Sequence, residues 1–107
     1  MNDASVGATF NALSDPTRRM LVGLIAERGS VTASEAAQEL PMTRQAVAKH
    51  LAVLEGANLV AVVWRGREKL HYLNPVPIHE IAERWIGKFE RGRLHVLAEL
   101  KEQLEGE

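Results

Sequence analysis

The chain has no cysteine among its 107 residues. That excludes disulfides, thiolate metal sites, cysteine nucleophiles and thiol redox sensing. Long apolar runs are missing too. The longest, Leu59 to Trp64, falls far below the roughly 20 residues that span a bilayer. No basic stretch precedes an apolar one over Met1–Ala12, so no signal peptide is expected. Aromatics are sparse at 5%, and neither sign of charge dominates: 13 Lys+Arg stand against 14 Asp+Glu, a formal net charge of -1. That total alone indicates neither a basic nucleic-acid coat nor an acidic tail. There is no internal repeat, low-complexity tract or linker. Nor is there a glycine-rich phosphate loop or a Ser/His/Asp arrangement beyond chance, so no enzyme is expected. With 46% hydrophobic residues, the length suits a single domain over 1–107. The expectation is a small, soluble, cytoplasmic domain.

What is present is dense helix punctuation. Asp15–Pro16 is an N-cap followed by proline at the first helical position, where its missing N–H costs nothing. Met20, Leu21, Leu24 and Ile25 recur at helical spacing up to Arg28–Gly29, a cationic last turn and a C-terminal glycine. A shorter helix around Val6–Leu13 precedes this one. Thr32, three residues before Glu35, matches a capping box. It opens a short helix over Thr32–Leu40 with Ala36, Ala37 and Leu40 facing inward. After a tight break at Pro41–Met42, Thr43 caps a further helix over about 43–55. There Val47, Leu51 and Leu54 follow the i, i+4, i+7 pattern, and Gly56 and Asn58 close it.

The texture changes at Leu59. Leu59–Trp64 is rich in β-branched residues, and Lys69–Leu73 alternates polar with apolar. Arg65-Gly66-Arg67-Glu68 lies between them, so about 59–73 reads as a two-stranded hairpin with a basic tip. Past Asn74–Pro75, the positions of Ile78, Ile81, Ala82, Trp85, Phe89, Val96, Leu97, Leu100 and Leu104 mark a long amphipathic helix over about 76–104. If continuous, it would run roughly 40 Å. Gly87 and Gly92 lower its propensity, and a bend is expected near Gly92. The fold class is therefore mainly α with a small β-hairpin: a winged helix-turn-helix with a long C-terminal helix.

In such a motif the second helix buries one stripe and presents its N-terminal polar face to the major groove. With Val47, Leu51 and Leu54 inward, Arg44, Gln45, Ala48 and Lys49 remain on the other faces. Arg44 can pair bidentately with a guanine edge, and Gln45 with adenine. Thr43 and the helix N-terminus suit a phosphate oxygen. Lys49 can take a phosphate or a base, and Ala48 can meet a thymine methyl. Arg65, Arg67 and Lys69 sit where a wing grips backbone or minor groove. Singly, each charge also reads as plain solvated surface, and the hairpin as an edge kept soluble by charge. Their distribution favours the sharper reading. From Thr43 to Leu73 five basic residues face two acidic ones, a balance of +3, which leaves -4 for the rest. Double-stranded DNA is the expected partner, with no cofactor and no membrane.

Ala12-Leu13-Ser14-Asp15-Pro16-Thr17-Arg18-Arg19 resembles the opening of ArsR/SmtB-type winged-helix repressors. Thr43 to Leu51 resembles their recognition helix, continued by Val53-Leu54-Glu55 and Asn58-Leu59-Val60. Arg65-Gly66-Arg67-Glu68 and Leu70 to Pro75 resemble the family's wing and exit. The resemblance runs from about Leu13 to the C-terminus. It implies a homodimeric repressor on an inverted-repeat operator, dimerised through the first and last helices, which carry Phe10, Trp85, Phe89, Leu97, Leu100 and Leu104. Two departures matter. Thr43-Arg44-Gln45 replaces the family's usual Ser-Gln-Pro or Ser-Gln-Ser, and Ala48 replaces a serine, so the operator is expected to differ from those of better-known members. Thiolate sensors carry Cys-x-Cys where this chain has Thr32 and Ser34. The resemblance is thus to the cysteine-free branch, which implies a small-molecule or protein effector in place of a metal.

Another metal site of the family lies on the last helix. Here His79, Glu80, Glu83, His95 and Glu99 are the candidates, and His79/Glu83 and His95/Glu99 are i, i+4 pairs able to chelate from one helix face. Neither reproduces the family's spacing, and such pairs are common as plain surface contacts. His50 and His71 read as hydrogen-bonded structural residues. The apolar stripe of the last helix is wider than one domain needs. Its first half is expected to cover the domain's own core, and its second half to meet a symmetry mate. Two other readings stay open: a zinc- or nickel-responsive repressor using the C-terminal histidines, and a protein-interaction winged helix that does not bind DNA.

Overall fold

Side-chain caps start three of the helices, and a glycine backbone N–H stops one. In the computed structural model, which describes residues 3–88 and 91–106 (backbone alone at 85, 87–88 and 91–94), the first helix is α1, Asp3–Leu13. It begins earlier than Val6, with an acidic residue in its first turn, where the helix dipole favours one. The Asp15 carboxylate accepts from the N–H groups of Thr17 and Arg18 at 2.7 and 3.2 Å, starting α2, Pro16–Arg28. Gly29, at φ +88°, ends α2 by donating its N–H to the Ile25 carbonyl. Thr32 and Glu35 form the reciprocal capping box of α3, Ala33–Glu39, with bonds of 3.1 and 2.9 Å. Thr43 Oγ1 accepts from the Ala46 N–H at 3.1 Å and opens α4, Arg44–Gly56.

Those helices bury one face each. Leu21 and Ile25 of α2, Ala36 of α3, and Val47, Leu51 and Leu54 of α4 form the core with Ala12, Val31, Leu40, Leu59 and Val60. Met20, on the expected stripe of α2, is instead 55% exposed. The Arg18 guanidinium closes the end of α1, donating to the Ala12 and Asn11 carbonyls at 2.6 and 3.1 Å. Its Nη1 lies 3.4 Å from His50 Nδ1, which ties α4 to the same corner. Arg28 pairs with Glu39 and joins the end of α2 to the end of α3.

The expected hairpin is present as β2, Val60–Arg65, and β3, Glu68–Leu73. Gly66 has φ +61° at the first central turn position, the place of glycine in a type II′ turn. The hairpin is not the whole sheet, however. Two residues, β1 at Ser30–Val31, pair antiparallel with β3, giving the order β1-β3-β2. Both edges of β3 are thus paired, and the successive residues Leu70 and His71 are both buried. The His71 Nδ1–H donates to the Val31 carbonyl at 3.0 Å, the structural role expected of it.

Over the C-terminal stretch the structure describes helix at α5, Val76–Lys88, and at α6, Arg91–Glu105, and residues 89–90 between them lie outside the described residues. The first half of that stretch was expected to roof the core, but α5 packs chiefly against α1. Within α5, Pro77 is buried and Ile81 half-buried, while Ile78 and Ile86 are exposed. The core is already closed by α2, α4 and the sheet. Every side chain described in α6 is exposed, and the molecule extends 62 Å along its longest axis. No described helix is long and apolar enough to cross a membrane.

Candidate nucleic-acid interface

Burying Val47, Leu51 and Leu54 turns the adjacent stripe of α4 toward the hairpin. Between them lies a groove of about 550 Å³, closed at one side by the N-terminus of α3. Helix α4 contributes Arg44, Gln45, Ala48, Ala52 and Glu55, spaced along one face. The sheet contributes Trp64, Arg67, Glu68, Lys69 and His71, and α3 contributes Ser34 behind Thr32 and Ala33. Thr32 is thus both an N-cap and, with Ser34, a wall of the groove.

The structure gathers five of the eight expected DNA-contacting residues into this groove: Arg44, Gln45, Ala48, Arg67 and Lys69. Thr43, Lys49 and Arg65 are exposed but lie outside it. Thr43 uses its hydroxyl oxygen on the Ala46 N–H. Lys49 lies on a more outward face of α4, and Arg65 ends β2 opposite Glu68 across the turn. Among the described residues, no carboxylate lies within ion-pairing distance of Arg44, Arg67 or Lys69. These three cations are therefore free to meet an anion, although Glu55 and Glu68 line the same groove.

Trp64 is the functional candidate that the sequence reasoning missed. It is 64% exposed, and the Lys69 ammonium lies 5.9 Å from its ring centroid. The signal was available: a two-residue turn at Gly66–Arg67 fixes the register and sets Trp64 opposite Lys69.

Two carboxylates at helix starts titrate abnormally. Asp15 is held below the usual carboxylate range chiefly by the Arg18 N–H, with the Thr17 N–H adding to it. Glu35 is lowered by the Thr32 N–H and then by the Thr32 hydroxyl. Both shifts report capping, the first at α2 and the second at α3.

On the C-terminal helices, His79 Nε2 lies 3.2 Å from Glu83 Oε1, and His95 Nε2 lies 2.9 Å from Glu99 Oε1. Both pairs are exposed, and no third His, Cys, Asp or Glu completes a metal-binding group among the described residues. Of the expected dimer-forming residues, Phe10, Leu97, Leu100 and Leu104 are each at least half exposed. Trp85 lies on α5 with its side chain outside the description, and Phe89 lies outside the described residues.

Comparison with known proteins agrees with this geometry. Residues 13–63 match the family model described as a helix-turn-helix domain. The chain is 38% identical over 85 residues to an uncharacterized HTH-type transcriptional regulator, YuzN, of Bacillus subtilis, covering 74% of this chain and 92% of that protein. It is 28% identical over 71 residues to the transcriptional repressor SdpR of the same organism, covering 66% and 78%. A solved ArsR-like transcriptional regulator from Rhodococcus sp. RHA1 superposes with a TM-score of 0.74 at 33% identity, covering 97% of this chain and 94% of that one.

Proposed function

The chain belongs to the ArsR-type winged helix-turn-helix transcriptional regulators, DNA-binding proteins and not enzymes, and on that premise we propose a homodimeric cytoplasmic repressor that binds an inverted-repeat operator without a thiolate metal sensor. One observation carries the reading: three cations from the recognition helix and the wing, with no carboxylate partner among the described residues, converge on a single groove beside the N-terminus of α4. In this reading residues 1–107 act as one domain. Arg44, Gln45 and Ala48 read base edges in the major groove. Thr43 and Lys49 anchor to phosphates, and Arg65, Arg67 and Lys69 hold the flanking backbone or minor groove. The dimer forms through α1 and the C-terminal helices, and a small molecule or a protein serves as effector. SdpR, a relative of similar length, is named a repressor, which supports the same sign of regulation here.

Selection of bound sequences from random duplex DNA tests the proposal. The expected product is a palindrome with half-sites about one helical turn apart. Absence of any salt-sensitive duplex binding would leave the winged helix as a protein-interaction module.

A further inference from the structure

We propose that Trp64 is a positioning residue for DNA binding, its indole pre-ordering the Lys69 ammonium for a phosphate beside the recognition helix. The inference rests on the DNA-binding reading above and deepens it. Trp64 and Lys69 face each other across the β2–β3 register, with the ammonium 5.9 Å from the ring centroid, within the range of a cation–π contact. Both residues line the groove against α4.

The indole is 64% exposed, so the core does not require a tryptophan there. It is also the contact that the structure gives Lys69. Among the described residues no carboxylate pairs with this ammonium, although Glu68 precedes it and Glu55 lies across the groove. A lysine stem has several rotatable bonds, and fixing it on DNA costs conformational entropy. A ring face that already holds the ammonium removes part of that cost. Unlike a carboxylate, it leaves the positive charge uncancelled for the phosphate.

Binding to a mixed-sequence duplex a few helical turns long isolates this contribution, because non-specific binding is almost wholly electrostatic. Affinity is measured against salt for the wild type, Lys69→Gln, Trp64→Leu, Trp64→Phe and the double variant Trp64→Leu/Lys69→Gln. Removing a phosphate contact lowers the slope of log affinity against log salt by about 0.9 per contact. Lys69→Gln should show that drop. Trp64→Leu should lose roughly 2- to 5-fold in affinity, the worth of an exposed cation–π pair, together with part of the same slope. Trp64→Phe should restore much of both, and the double variant should be no worse than Lys69→Gln alone. A Trp64→Leu variant with wild-type slope, whether or not its affinity falls, would overturn the proposal. So would additivity in the double variant. If the wild-type protein itself binds no duplex, the DNA-binding reading fails first. Circular dichroism melts confirm that each variant is folded.

Discussion

Arg44 and Asp15 show how differently single residues act in this fold. Arg44 stands at the first turn of α4, exposed and lining the groove. A bidentate guanidinium–guanine contact is worth about 1–3 kcal/mol against the wrong base. Arg44→Ala should therefore weaken the selected operator by that amount and flatten the preference at one base position. Affinities for single-base operator variants check this, and uniform weakening across them would assign Arg44 to phosphate. Asp15 works inside the fold. Its carboxyl is depressed in the folded state, chiefly by the Arg18 N–H, and Glu35 is depressed in the same way by the Thr32 N–H. For a depressed carboxylate, stability is complete above the unfolded value and is lost as pH falls through the folded one. The melting temperature should therefore drop as pH falls below about 4. Asp15→Asn keeps a competent cap but cannot titrate, so its melting temperature should fall less steeply over the same range.

At the scale of elements, the parts that could be read from the chain are those fixed by local chemistry. Asp15, Thr32 and Thr43 cap helices because a short oxygen-bearing side chain satisfies nearby N–H groups wherever the chain goes next. Loss of the last of these, Thr43→Ala, should cost about 1 kcal/mol in urea unfolding. Gly66→Ala should cost about 1–2 kcal/mol, because a side chain is strained at φ +61°. Features set by partners were not legible in the same way. Ser30–Val31 is too short to carry a periodicity and becomes a strand only because β3 lies beside it. That pairing sets Val31 against the buried His71, whose ring bonds the Val31 carbonyl. For α5, periodicity identified an apolar stripe but not what would cover it, and α5 packs chiefly against α1. The groove divides along the same line. Arg44, Gln45 and Ala48 followed from which stripe of α4 is buried. Trp64 needed the hairpin register and the position of the wing against α4.

For the whole molecule, the net charge of -1 conceals a division between +3 over residues 43–73 and -4 elsewhere. That polarity favours one face toward DNA and keeps the other away from it. Outside that window lies α6, whose charges balance and where Val96, Leu97, Leu100 and Leu104 are exposed by half or more. Leu97, Leu100 and Leu104 follow an i, i+3, i+7 spacing, the seam of two paired helices. Burying a leucine fully gains about 1.5–3 kcal/mol, and two-fold symmetry counts each one twice. Replacing both Leu97 and Leu100 with glutamate should therefore convert a sedimenting dimer to monomer. Secondary structure in the winged helix should survive, because these side chains touch no core of their own subunit. Operator affinity should fall much further than non-specific affinity per protomer. A palindromic site depends on two linked half-sites, whereas a lone protomer keeps its own phosphate contacts. A dimer that persists in this variant would place the interface on α1 and α5, where Phe10, Ile78 and Ile86 are also exposed.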